Sequence, residues 1–182
     1  MPTTTPHGLR YPADTDPPDV PTDMQEIAED VGAWLPLMRR KSAPATRTNT
    51  ATAAVDTDFS LTLAPGYWRV NAVLHYSGPA AADMRVRWVF TGAGGGQRSV
   101  LAPDVSTTNV LAGPMRSSQH TLLNTDVPFG TDGINTGVGY EDLLVSVTSP
   151  GQLELWWAQQ TANATGTTLG TNSRLIAQRL TL

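Results

Sequence analysis

The 182-residue sequence contains no cysteine, a single lysine and three histidines. Without cysteine the chain can form no disulfide and offers no thiolate as a metal ligand or nucleophile. No apolar run approaches the roughly 18 residues that a membrane-spanning helix needs, so we expect no membrane insertion. The N-terminus lacks both a basic start and an apolar stretch, and we therefore expect no secretory signal.

The charge balance also excludes a class of partner. Charged residues make up 15% of the chain, and the formal net charge is -4. Binding to nucleic acid needs a basic surface that displaces counterions from the phosphates, so we expect no nucleic-acid partner. Apolar residues make up 40%. This balance and the chain length are typical of one globular domain with an additional segment.

Residues 1–21 form a proline-rich, acidic segment without enough apolar side chains for a core. Proline fixes φ and favours an extended conformation in the residue before it. Burial here cannot offset an ordering cost of ~1 to 2 kcal/mol per residue. Two interpretations stay open, namely a disordered tail and an anchoring arm that becomes ordered on a partner. In the second, the docking side chains are Leu9, Tyr11, Pro12 and Val20.

Residues 22–41 follow the arm with the pattern of a short amphipathic helix. Thr22 and Gln25 match a capping box, and Pro36 predicts that the regular helix ends near Leu35. A helix of this length is marginal alone in water. It either packs on its own C-terminal domain or packs against copies of itself around a symmetry axis. The apolar positions follow a heptad spacing and are the predicted oligomer interface: Met24, Ile27, Val31, Trp34 and Met38.

Residues 42–54 are rich in threonine and alanine and are predicted to be a linker. From residue 55 to residue 182 the apolar residues alternate with a period of two, and turn signals separate the segments. Residues 58–78 are predicted to form a hairpin around Pro65-Gly66, and residues 92–96 a flexible glycine turn. The pattern predicts a mainly β fold, an antiparallel β-sandwich or jelly roll, preceded by the extended arm and the short helix.

Chemistry-bearing residues are sparse and poorly grouped. Ser117, Ser118 and His120 lie close in sequence, but a nucleophilic site also needs a group that orients the base. The carboxylate pairs Asp56/Asp58 and Glu141/Asp142 both stand at predicted strand starts. No histidines have a metal-ligand spacing. We therefore expect no enzyme, no catalytic residue, no metal site and no cofactor.

Neighbouring aromatic residues indicate that some strands carry a large aromatic side chain on each face of the sheet. Trp156 and Trp157 are consecutive, so in a strand they point to opposite faces of the sheet. Either one fills the core and the other lies on the surface, or an oligomer buries both faces of the strand. The second interpretation adds Trp156 and Trp157 to the predicted oligomer interface. The same argument applies to Tyr67 and Trp68.

The entry segment "GLRYPADTDPPDVPTDMQEIAEDV" resembles the N-terminal segment of minor tail and other virion proteins from phages of GC-rich, actinobacterial-type hosts. The blocks "GYWRVNAVLHYSGPAAADMRVRW" and "LELWWAQQTANATGTTLGTNSRLIAQRL" resemble a C-terminal β-domain of the same kind of protein. The resemblance implies a trimeric jelly-roll head in a virion assembled in the host cytoplasm. The residues of the N-terminal segment that match are Gly8, Tyr11, Pro12, Pro17, Pro18, Val20, Pro21, Ile27, Ala28 and Val31.

The leading hypothesis is a non-enzymatic virion structural protein, a homotrimeric tail, tail-tip or fibre component. Its partners are its own copies and other virion proteins, which residues 1–40 contact, while the loops at 92–98 and 113–139 face outward. One alternative is a capsid decoration or head-fibre protein. Another is a carbohydrate-binding module that recognises a host-surface glycan through exposed aromatic side chains such as Tyr67, Tyr140 or Trp156.

Overall fold

The computed structural model describes residues 3–4, 10–11 and 20–180 and divides the chain into two units. The described residues up to Pro36 belong to the first unit, which we call the arm. The second unit, the head, is Leu37–Leu180.

The described part of the arm contains two short strands and one helix. Strand β1 (Thr3–Thr4) pairs antiparallel with β2 (Arg10–Tyr11). Helix α1 spans Val20–Trp34. It ends one residue before the predicted position near Leu35, because Pro36 cannot continue the hydrogen-bond ladder.

The start of the helix differs from the prediction. The sequence predicts Thr22 as the N-cap, whereas Val20 is the first helical residue. Proline is tolerated in the first helical turn, where its missing N–H would have no partner. Val20 and Pro21 therefore belong to the helix and not to the extended segment predicted for residues 1–21.

The head contains twelve strands, numbered in chain order. They are β3 (Leu37–Arg40), β4 (Ala45–Arg47), β5 (Ala54–Leu63), β6 (Gly66–Ser77), β7 (Met84–Phe90), β8 (Gly94–Pro103), β9 (Met115–His120), β10 (Val127–Phe129), β11 (Gly137–Val147), β12 (Gly151–Gln159), β13 (Thr167–Leu169) and β14 (Arg174–Leu180).

These strands form a sandwich of two antiparallel sheets, as predicted. One sheet has the order β10-β7-β12-β5. The other, which we call the large sheet, has the path β3-β14-β6-β11-β8-β9, with β13 pairing both β4 and β6. The central strands β5-β12-β7-β10 and β6-β11-β8-β9 wind between the two sheets in the order of a jelly roll.

Several local predictions are corrected by this winding. Strands β5 and β6 are not a hairpin: β5 pairs with β12, and β6 pairs with β11 and β14. The turn at Pro65-Gly66 carries the chain from one sheet to the other, and Gly66 has a φ of 136°. Periodicity identifies the buried face of a strand, but it does not identify the neighbouring strand.

Other segments predicted as helix, linker or loop contain strands. Met38 lies in β3, opposite Ile176 of β14, and not on a helical seam. Strand β4 lies within the predicted linker at 42–54. The predicted glycine turn contains the start of β8, and the predicted outward loop at 113–139 contains β9, β10 and the start of β11.

The core lies between the two sheets and consists of the side chains that the period-two pattern predicted. Large apolar residues from both sheets are fully buried there, and Phe90 packs partly buried against them. Alternation places these side chains inward and their neighbours outward. The alternation predicted from the sequence is confirmed, since these alternate residues are all buried: Phe59, Leu61, Leu63, Trp68, Val70, Ala72, Leu74, Tyr76, Met84, Val86 and Trp88.

A charged pair occupies two inward positions of the large sheet. Arg98 of β8 and Glu141 of β11 are both fully buried, with Nη2 3.0 Å from Oε1. Trp88 of β7, in the other sheet, donates its indole N–H to Glu141 Oε2 at 2.7 Å. Burial raises the pKa of Glu141, and the Arg98 charge and the Trp88 hydrogen bond oppose this rise. One carboxylate therefore connects the two sheets.

Arg98 also binds backbone carbonyl groups. Its Nη1 donates to the oxygens of Leu123 and Thr125 at 3.1 and 2.9 Å. These contacts hold the segment between β9 and β10 against the core. The Nη2 atom of Arg98 also donates to the Val86 oxygen of β7 at 3.4 Å. The guanidinium thus has partners on both sheets and on a loop, which reduces the cost of burying its charge.

The lone lysine forms a second polar network, beside strand β5. Lys41 Nζ lies 2.9 Å from Asp56 Oδ1 and 3.0 Å from Asp58 Oδ2. The backbone N–H of Ser42 also donates to Asp58. Burial lowers the pKa of Lys41, but the hydrogen bonds to the two aspartates outweigh it and the pKa is raised. The network attaches the end of β3 to the other sheet.

We predict that Arg98→Met destabilises the protein by about 3–5 kcal/mol, because it leaves Glu141 buried without its counter-charge. Adding Glu141→Gln in the same chain should recover more than half of this loss. The glutamine is uncharged, and its amide oxygen can still accept from Trp88. Urea unfolding monitored by tryptophan fluorescence gives the free energies.

The matched control for this experiment is Arg69→Met. Arg69 forms an exposed ion pair with Asp142, which solvent screens, so its loss should cost far less than that of Arg98. A single Arg98→Met variant no less stable than the Arg69→Met control would contradict the assignment of Arg98 as a structural charge.

We also predict that the unfolding free energy depends on pH through the protonation of Asp58. The hydrogen bond from Lys41 lowers the pKa of Asp58, with a further contribution from the Ser42 N–H. Its stabilising contribution is therefore complete above the unfolded value of about 3.9 and is lost as the pH falls through the lower folded value. Between about pH 5 and about pH 2, the wild type should lose more unfolding free energy than Asp58→Asn. Parallel curves for the two proteins would exclude this coupling.

Candidate interaction surfaces

Helix α1 carries an exposed apolar stripe. Met24, Ile27 and Val31 are 66%, 41% and 44% exposed, although their spacing is that of a buried seam. On the opposite side of the helix, Gln25 donates a hydrogen bond to Glu29 at 2.9 Å. Apolar side chains at this spacing fit the stripe of a second helix, and the burial would stabilise both.

The other predicted contact residues of the arm have different outcomes. Leu9 and Pro12 lie outside the described residues. Tyr11 is in strand β2, and Val20 and Trp34 are the first and last residues of α1. The docking role of Leu9, Tyr11, Pro12 and Val20, and the oligomer seam of α1, stay predictions.

A second surface is the outward side of the large sheet, which we call the outer face. It presents large apolar side chains between polar ones, and Tyr67 and Tyr140 are 44% and 49% exposed. Met38, although no longer a helical seam residue, is also exposed on this face. Exposed apolar side chains grouped on one face are typical of an interaction surface.

The centre of the outer face is a hydrogen-bonded group of three polar side chains. Arg69 Nε and Nη2 donate to the two carboxylate oxygens of Asp142 at 3.0 and 2.9 Å. Asn71 Nδ2 donates to Asp142 Oδ1 at 3.0 Å. The hydrogen bond with Asp142 raises the pKa of Arg69. Because each side chain holds another, the group presents its free donors and acceptors in fixed directions.

The sequence pattern does not reveal this group because its members come from two strands. Arg69 and Asn71 are alternate residues of β6, and Asp142 lies opposite Asn71 on β11. The alternation indicates that all three point outward. The register that brings them together is decided by the pairing of β6 with β11, for which the local sequence carries no signal.

The two neighbouring tryptophans have separate roles. Trp157 is fully buried, donates to Asp56 Oδ2 at 3.1 Å and lies under the guanidinium of Arg47, 4.3 Å from the ring centre. Its placement in an oligomer interface is therefore wrong, because its own chain covers it. Trp156 is half-buried and donates to Glu154 at 3.0 Å. An interface role for Trp156 stays a prediction.

The groups considered for catalysis do not form a catalytic arrangement in the described residues. Ser118 Oγ lies 3.0 Å from His120 Nε2, but His120 has no carboxylate partner among the residues described. Burial lowers the pKa of His120, as do the charges of Arg98 and Arg116.

The two carboxylate pairs serve other purposes. Asp56 and Asp58 bind Lys41. Glu141 points inward and Asp142 outward, so this pair lies on opposite faces of β11. The described residues contain no group of three or more His, Asp or Glu side chains that could hold a metal ion. In the same residues, no helix is both long and apolar enough to cross a membrane.

Comparisons with known proteins give no family. No family model matches the sequence, and no curated protein matches it significantly. Among solved structures, the structure of infectious bursal disease virus Gx strain has 11% identity and a TM-score of 0.21, covering 100% of this chain and 46% of that chain. The infectious bursal disease virus VP2 subviral particle has 10% identity and a TM-score of 0.19, covering 81% of this chain and 40% of that chain.

The chain thus spans less than half the length of each of these two viral chains. At such TM-scores neither similarity carries an argument about fold or function. The jelly-roll assignment depends on the strand order of the head alone.

We predict that Trp157→Ala destabilises the protein by about 3–5 kcal/mol, the usual cost of removing a large buried aromatic side chain. Trp156→Ala should cost clearly less, because that side chain is only half-buried. Chemical unfolding of both variants measures the difference, and equal losses would contradict the inward placement of Trp157.

Proposed function

We propose that this chain is a non-enzymatic structural protein of a virion, which self-associates through helix α1 and displays the head. The observation that carries the proposal is the exposed stripe of Met24, Ile27 and Val31. An amphipathic helix with its apolar side in water lacks the burial that stabilises such helices. A partner helix from another copy supplies that burial, and association then stabilises both chains.

The architecture of the head supports this proposal. Double-sheet jelly rolls occur in viral capsid proteins and in lectin domains, as well as in other classes. A fold by itself does not decide a function, so the jelly roll is compatible with both a capsid-type role and a lectin-type role. The resemblance of residues 8–31 to virion proteins favours a role as a viral structural protein.

Within this proposal, we expect a homotrimer in a tail, tail tip or fibre. Residues 1–40 would contact other virion proteins, and the protein would be located in the virion after assembly in the host cytoplasm. A capsid decoration or head-fibre role depends on the same contacts. Electron microscopy of labelled particles distinguishes the two locations.

We predict that the purified chain has about three times the 19.4 kDa mass of one copy and that Ile27→Asp shifts it to a single copy. A carboxylate in the seam would have to be buried without a partner, which opposes association. Light scattering coupled to size exclusion gives the masses. The same variant should be depleted from purified particles.

Gly32→Asp is the matched control, since it adds the same side chain on the other side of the helix. A Cβ at Gly32 meets no atom within 4 Å, so the substitution has room. The control should keep the mass of the wild type. A monomeric wild type, or an Ile27→Asp variant that stays associated, would contradict self-association through the stripe.

A further inference from the structure

The outer face contains a continuous trough that runs along strand β11. Three adjoining depressions form it, the first around Tyr140, the second around Asp142 and the third around Tyr67. The first and second share Asp142, and the second and third share Leu144. An extended ligand can therefore contact all three depressions at once.

A glycine keeps one end of the trough open. Gly95 lies opposite Ser146 on the outer face, and a Cβ at this position meets no atom within 4 Å. Its backbone has no positive φ. No packing contact and no backbone conformation therefore requires glycine here. Glycine inside a strand often marks a bulge, a bend or a close approach of another molecule. Since β8 pairs with β11 here without a register shift, the close approach is favoured.

The charge at the centre of the trough favours a neutral ligand. Arg69 and Asp142 are the charged side chains at its centre, and they neutralise each other as an ion pair. A phosphate or a nucleic acid would need unpaired positive charge at this place. A basic ligand would need unpaired negative charge in the same way.

The hydrogen-bonding groups favour a ligand with many hydroxyls. Within the described part of the chain, Arg69 Nη1 and Asn71 Oδ1 have no hydrogen-bond partner, although both side chains are held by Asp142. The trough thus offers oriented donors and an oriented acceptor side by side. A hydroxyl group donates and accepts at the same time, so it satisfies both.

The two tyrosines supply the apolar part of such a site. Tyr140 stands opposite Val73 of β6, and Tyr67 lies six residues before Val73 on the same strand. The backbone positions of the two tyrosines are therefore about 20 Å apart along the trough, at the usual rise per strand residue. Tyrosine presents an apolar ring with a polar tip, which suits ligands that alternate C–H faces with hydroxyls.

We propose that the trough binds an extended neutral oligosaccharide. Tyr140 and Tyr67 would stack on sugar rings near its two ends, and Arg69, Asn71 and Asp142 would bind hydroxyls between them. This activity goes beyond the structural role proposed above and does not depend on helix α1. In a virion it would give the head a means of attachment to surface polysaccharide.

The test uses the full chain on an array of neutral gluco-, manno-, galacto- and arabino-hexasaccharides, printed beside sialylated and sulfated sugars. We expect binding to a neutral sugar. Titration calorimetry with that sugar should then show a Kd about tenfold weaker for Tyr140→Ala and for Tyr67→Ala. Gly95→Gln, which fills the open end of the trough, should weaken binding similarly without a loss of stability.

Two variants serve as controls. Tyr140→Phe keeps the ring and should keep the affinity, and Ile134→Ala removes a well-exposed apolar side chain from a loop that does not line the trough. No binding to any neutral sugar on the array, or a preference for the acidic sugars, would overturn the proposal. A change in solution mass for Tyr140→Ala would also overturn it, because it would show that a second copy of the chain covers this face.

Discussion

The buried contact between Arg98 and Glu141 is the constraint on which the head depends. Two charges can stay in an apolar core only when they are paired and hydrogen-bonded, so β8 and β11 must lie side by side in one register. Trp88 extends the contact to the opposite sheet. A slip by one residue would turn Glu141 to solvent and Asp142 into the core, which would also remove the trough. The Arg98–Glu141 pair thus lies on the inner side of the same strands whose outer side forms the trough.

The arm and the head differ in how far they bury their apolar side chains. The head buries its apolar side chains within its own chain, whereas Met24, Ile27 and Val31 of the arm stay in contact with water. The proposed self-association through α1 requires this division, because a helix without burial of its own gains stability when another chain supplies that burial.

Sequence patterns predicted the inward and outward sides of most strands but not their neighbours. The period-two pattern predicted one apolar face for each strand, and Phe59 and Trp68 lie on the buried faces, but the strands that carry them do not form the predicted hairpin. Alternation is a local property, since each side chain points away from the next. Pairing depends on contacts between residues far apart in the chain, such as Gly151 with Leu63. The polar group at the centre of the trough could not be predicted for the same reason.

By itself, the sequence determined the fold class, the helix end before Pro36 and the faces of the strands, because these follow from backbone restrictions and the period of the apolar residues. Only the tertiary structure decided that Arg98 and Glu141 meet in the core, that Lys41 binds Asp56 and Asp58, and that Trp157 lies inside. Each of these depends on a pairing register or a contact between the two sheets. Such contacts depend on the packing of the whole head, so no short stretch of sequence is sufficient to predict them.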